Sequence, residues 1–153
     1  MRNVGIARVG GIALIVLSLA PCAVAPASPR PSAPRVTPAA YRARANAICA
    51  DLNRFQIPVR LTFVQGMQAA LKKSRAAITA LRKLEPPRSL APLHAEAVRV
   101  EARYVEYFAS LLAKVQAHTL TPSKMIAALA RSADARQAAA LWRKLGATVC
   151  AET

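Results

Sequence analysis

Three cysteines, two histidines and seven carboxylates are the whole stock from which this chain could build a metal centre, a nucleophile or an acid–base pair. Their spacing does not assemble one. Covalent haem needs Cys-x-x-Cys-His and a di-iron bundle needs Glu-x-x-His pairs, and neither pattern occurs. The cysteines and histidines are scattered singly, without the paired spacing of a zinc site. The five glycines form no phosphate-cradling loop. His118 falls beside Thr119 and Leu120 at a helix end, with no acid or nucleophile in step with it. These residues predict a non-catalytic protein with no cofactor and no metal.

Two groups still call for positioning. Glu101 projects onto the apolar side of its helix, among Leu90, Tyr104, Phe108 and Leu112, with His94 on the same side two turns earlier. At 1.5 Å rise per residue the two are about 10 Å apart, too far for direct contact. One reading is a polar pocket for a small ligand, which would make the protein a carrier or sensor. The other is a carboxylate at the edge of the face, paired with an arginine of a neighbouring helix such as Arg44, because buried carboxylates are normally paired.

The second group is the cysteines. Arg2 and Arg8 precede an uncharged apolar run, Val9–Ala20, of the length of a secretory signal core. Ala23-Val24-Ala25 and Ala25-Pro26-Ala27 offer cleavage sites, and Pro26 favours cutting after Ala27. Residues 1–27 are therefore expected to be a cleaved signal peptide. An uncleaved anchor is the rival, but Pro21, Pro26 and Pro29 interrupt the span of about 20 residues it would need. Leu19-Ala20-Pro21-Cys22 approaches a lipobox, departing from it at Pro21, so a lipoprotein through Cys22 is the lesser alternative. Removing the leader leaves Cys49 and Cys150, an even pair in an oxidising setting. A disulfide is expected, against two unrelated buried thiols.

The elements that must carry these residues are helical. The 153-residue chain is 54% hydrophobic but only 5% aromatic, and alanine, the best helix former, is its commonest residue. That content excludes disorder for most of the chain and disfavours an all-β fold. Residues 28–37 are a Pro/Ser-rich linker. A bundle domain follows over residues 38–153. Thr37-Pro38 starts a first helix to about Asn53, with Tyr41, Ala45, Ile48, Cys49, Leu52 and Phe55 on one face. A second helix runs from Met67 to Glu85, with an ambiguous lead-in from Pro58 and a joint at Gly66. Pro86-Pro87 stops it. Ser89 caps a third, which runs to about Ala117 and buries Leu93, Ala97, Val100, Tyr104, Tyr107, Phe108, Leu111 and Val115. Thr121-Pro122 opens a fourth, whose apolar face shifts from Ile126, Leu129, Ala130 and Ala133 to Ala138, Leu141, Trp142, Leu145 and Val149. That shift predicts a bend near Ser132–Asp134, and Gly146 stops the helix before a short tail. The expected fold is all-α, a four-helix antiparallel bundle with its last helix bent.

Leu81-x-x-Leu84-x-Pro86-Pro87-x-x-Leu90-x-x-x-His94, a cysteine in the first helix and the Leu145-Gly146-x-x-x-Cys150 ending resemble small secreted helical-bundle proteins of high-GC bacteria, whose function is uncharacterised. The resemblance implies an exported helical bundle and carries no activity.

Charge is the remaining signal. Lys and Arg number 22 against 7 Asp and Glu, for a net +15, and losing the leader removes only Arg2 and Arg8. Lys72, Arg75, Arg82 and Lys83 fall on one side of the second helix. This stripe fits contact with an anionic lipid or cell-wall polymer, in the envelope or outside the cell. The competing reading is a solvated face in a protein from an arginine-rich genome. Nucleic acid is disfavoured, because no aromatic residues interleave with the stripe to stack bases.

Overall fold

The computed structural model describes residues 36–152. The expected signal peptide, the Cys22 lipidation site and most of the linker lie outside these residues. Among the described residues there are helices and no strands.

Helix α1 spans Pro38–Asn53, with the Thr37 side chain accepting from the Ala40 N–H and Pro38 in the first turn. Tyr41, Ala45 and Cys49, four residues apart, are its buried residues. Helix α2 spans Phe63–Arg82, earlier at both ends than the sequence pattern suggested. A capping box explains its start: the Thr62 side chain accepts from the Gln65 N–H, and the Gln65 side chain accepts from the Thr62 N–H. Gly66 is therefore no joint but lies in the first turn of α2. A β-carbon there would come within 2.5 Å of Ile57 Cγ2, so the missing side chain lets the preceding loop lie against the helix.

Helix α3, Ala91–Gln116, is the longest described and packs on α2 and on both parts of the last helix. Ser89 does not cap it. The N-cap is Leu90, in helical conformation, with no side-chain cap hydrogen bond. Turn bonds from Leu90 N–H to Pro87 and from Ala91 N–H to Arg88 wind directly into the helix, leaving no extended cap position for Ser89. Tyr107 was expected on the inner face but is 38% exposed, whereas Val98, Val105 and Leu112 are buried.

The last helix is bent, as a break between α4 (Pro122–Ala130) and α5 (Ala133–Leu145). Thr121 caps the first piece and Ser132 the second, and Asp134 lies in the first turn of α5, where its charge suits the helix dipole. In α4 the core takes Met125, fully buried, rather than Ile126, which is 47% exposed; Ala130 and Ala133 are also exposed. Gly146 ends α5 in the left-handed region at φ 74°. The expected tail winds instead into a 3-10 helix, Thr148–Glu152.

The core has two parts. One gathers Tyr41, Cys49, Leu81, Val100, Trp142, Leu145 and Cys150. The other gathers Phe108, Leu111, Leu112, Val115 and Met125, with Phe63, Val64 and Met67 of α2 against it.

Candidate functional site

Cys49 and Cys150 form a disulfide with Cα atoms 5.0 Å apart. The chain reaches this pairing by turning back. The Arg42 Nε–H donates to the Leu145 carbonyl at 2.9 Å, so α5 ends beside the start of α1. After Gly146 the 3-10 helix runs along α1. Its Val149 N–H donates to Asn46 Oδ1, and Asn53 Nδ2 donates to the Val149 carbonyl. A straight last helix would have left the sulfurs apart.

His94 and Glu101 are linked through a residue that the helical spacing of α3 could not supply. His94 is 6% exposed, and its Nδ1 lies 2.7 Å from the Tyr41 hydroxyl. In a neutral imidazole one ring nitrogen donates and the other accepts, and the Tyr41 hydroxyl can serve either role at Nδ1. Burial holds the imidazole below its ordinary value, with the Leu81 backbone pulling the other way. Burial also pushes the Tyr41 hydroxyl up to about 12.

Trp142 stands edge-on to His94, ring centres 6.1 Å apart, and its Nε1–H donates to Glu101 Oε2 at 3.3 Å. The expected ion pair with Arg44 is not formed, because Arg44 points to solvent on α1 while Trp142 of α5 reaches the carboxylate first. Burial raises the Glu101 pKa, and the Trp142 bond opposes the rise. Tyr104 is raised by burial and then by the Glu101 charge.

This group is packed, not hollow. The cavity lined by Glu101, Trp142, Ile78 and Leu81 measures about 10 Å³, at the threshold for one water. His94 lines a different space, an open groove of about 830 Å³ between α3, the end of α2 and the start of α5. Arg82, Arg99 and Arg103 border it together with Glu106 and Asp134. Its charges are largely paired: Arg99 with Glu96, Arg103 with Asp134, and Arg75 with Glu106. Among the described residues no three His, Cys, Asp or Glu side chains gather as a metal-binding set.

Lys72, Arg75 and Arg82 of α2 and Lys83 at its C-cap are all exposed. Arg75 is 3.2 Å from Glu106 on the α3 side, and the neighbouring Lys73 pairs with Asp51 of α1. Lys72, Arg82 and Lys83 enter none of the ion pairs formed among the described residues. The sequence pattern marks the loop before α2 only as an ambiguous lead-in. It carries the most exposed large apolar residue described, Val59 at 103%. No amphipathic period marks a short loop, and its one signal is Pro58 followed by apolar residues with no helical phase. No protein-family model, curated protein or solved structure matches the chain.

Proposed function

We propose that the protein is an exported, non-catalytic helical bundle that contacts anionic surfaces of the envelope or the extracellular space. The observation that carries this reading is the positive charge of Lys72, Arg82 and Lys83, which enter no ion pair among the described residues, on the exposed side and end of α2, over a core with no room for a ligand beside Glu101. Seven acids serve 22 bases, and four of the acids are already in ion pairs among the described residues. The disulfide supports an oxidising compartment, and the Val9–Ala20 run supports export. No described helix is long and apolar enough to cross a membrane. A small-ligand carrier with a pocket near Glu101 and His94 has less support, because the two residues line no common cavity.

The test is binding of the protein, purified from its host, to anionic vesicles and to a soluble polyanion such as polyphosphate, over a salt series. Binding is expected to weaken steeply with salt, since exposed charges are screened. Reversing Lys72, Arg75, Arg82 and Lys83 to Glu is expected to abolish it with an unchanged circular dichroism spectrum. Equal binding by that variant eliminates the stripe, and no binding to either anion eliminates the reading.

A further inference from the structure

Helix-end polarity and charge are unequal across the molecule. Residues 52–84 contain no Asp or Glu, and neither do residues 107–133. The fold brings these two acid-free stretches together, because Phe63, Val64 and Met67 of α2 pack on Phe108, Leu112, Val115 and Met125 of α3 and α4. One end of the bundle is thus built from the loop before α2, the first turns of α2, the end of α3 and α4. Arg54, Arg60, Lys114 and Lys124 are exposed there.

The same end exposes aliphatic side chains. Val59 is 103% exposed, Ile126 47% and Ile57 40%. Val59 and Arg60 form the corner of a turn closed by the Leu61 N–H donating to the Pro58 carbonyl at 3.0 Å. The turn is held at its base, where Ile57 lies against Gly66 of α2. Branched apolar side chains on a short, pinned turn, with Arg60 at its corner, Arg54 at its base beside Asp51 of α1, and no acid in the loop itself, match the boundary of an anionic bilayer. There, acyl chains lie just beneath phosphates. A soluble polyanion matches the arginines but leaves Val59 in water.

We infer that the Arg54–Leu61 loop docks this end of the bundle on an anionic phospholipid bilayer, with Ile57 and Val59 entering the interface and Arg54 and Arg60 meeting phosphates. The inference rests on the anionic-surface reading and narrows its partner from any polyanion to a lipid surface. The α2 stripe supplies long-range attraction, and the loop supplies the apolar contact.

Val59→Trp provides the probe, because the native Trp142 is 1% exposed and buried from lipid. Protein purified from its host is mixed with vesicles of brominated phosphatidylglycerol or brominated phosphatidylcholine. The new tryptophan is expected to shift to the blue and be quenched only by the anionic vesicles. Val59→Asp is expected to lower partitioning onto phosphatidylglycerol vesicles roughly tenfold or more, while its binding to polyphosphate stays unchanged. An unquenched Val59→Trp on vesicle-bound protein overturns the inference and leaves the anionic-surface reading standing. Binding to polyphosphate without binding to vesicles does the same. Failure to bind either anion removes both.

Discussion

Burial decides how the polar groups beside Trp142 behave. The indole stands between a histidine that burial keeps neutral and a carboxylate that burial makes hard to ionise. The two impose opposite pH dependences. Below about pH 6.5 the unfolded chain takes up a proton on His94 that the folded state resists, so stability is lost as pH falls from 6.5 towards the lowered folded value. His94→Gln is expected to flatten that part of a plot of melting temperature against pH. An unchanged slope would show that His94 is not its source. For Glu101 the unfolded chain ionises above about pH 4.5 while the folded state holds its proton longer, so stability falls as pH rises through that region. Glu101→Gln retains an oxygen to accept from Trp142 and removes the buried charge. It is expected to raise the melting temperature at pH 7, with the gain vanishing below about pH 4.5. Calorimetry at the two pH values reads both the gain and its disappearance.

Among the elements, the joint after α5 has the largest consequence. Gly146 sits at φ 74°, where an L side chain is strained, and a β-carbon there would stand 2.7 Å from Arg42 Nε. Gly146→Ala would combine that strain with displacement of the Arg42 side chain that holds the Leu145 carbonyl. The expected cost is about 1–3 kcal/mol in chemical denaturation, with slower reformation of the Cys49–Cys150 bond after reduction. Stability and reoxidation equal to wild type would mean the turn does not direct the 3-10 helix onto α1. The other break, at Arg131–Ser132, rests on a cap. The Ser132 hydroxyl accepts from the Ala135 N–H at 3.4 Å. Ser132→Ala is expected to destabilise the protein by about 1 kcal/mol, read by the same denaturation experiment.

At the level of the whole molecule, the disulfide ties the end of the chain to the first helix across a sequence separation of 101. The chain-entropy model assigns a loop of that size about 4.7 kcal/mol, a large part of the 5–15 kcal/mol of a typical domain. The core it supports is modest in volume, with Ala45, Ala97, Ala138 and Ala147 among its fully or almost fully buried residues. Reduction is expected to lower the melting temperature by ten degrees or more, roughly 4–8 °C for each kcal/mol in a domain near this size. Peptide mapping without reductant is expected to recover Cys49 and Cys150 in one fragment. Two free thiols in protein taken from an oxidising compartment would contradict the bond.

Local chemistry made much of this fold legible in the amino-acid order. Thr37-Pro38, Thr121-Pro122, Pro86-Pro87 and Gly146 mark helix ends because caps and breakers act within a few residues of themselves. The cysteine pair followed from parity once the leader was set aside. A shift in apolar phase pointed to the bend, but Ile126, Ala130 and Ala133 of the expected first face are exposed, and the break itself carries a Ser132 cap. The capping box at Thr62 was equally local, yet the Pro58 and Gly66 signals hid it. Partners across elements were a different matter. Trp142 rather than Arg44 meets Glu101, Glu106 engages Arg75, and Met125 rather than Ile126 fills the second core, because each depends on how packed helices rotate about their axes. That rotation is set by the sum of many side-chain contacts between segments far apart in the chain. Only tertiary packing could therefore bring the two acid-free stretches together at one end of the bundle.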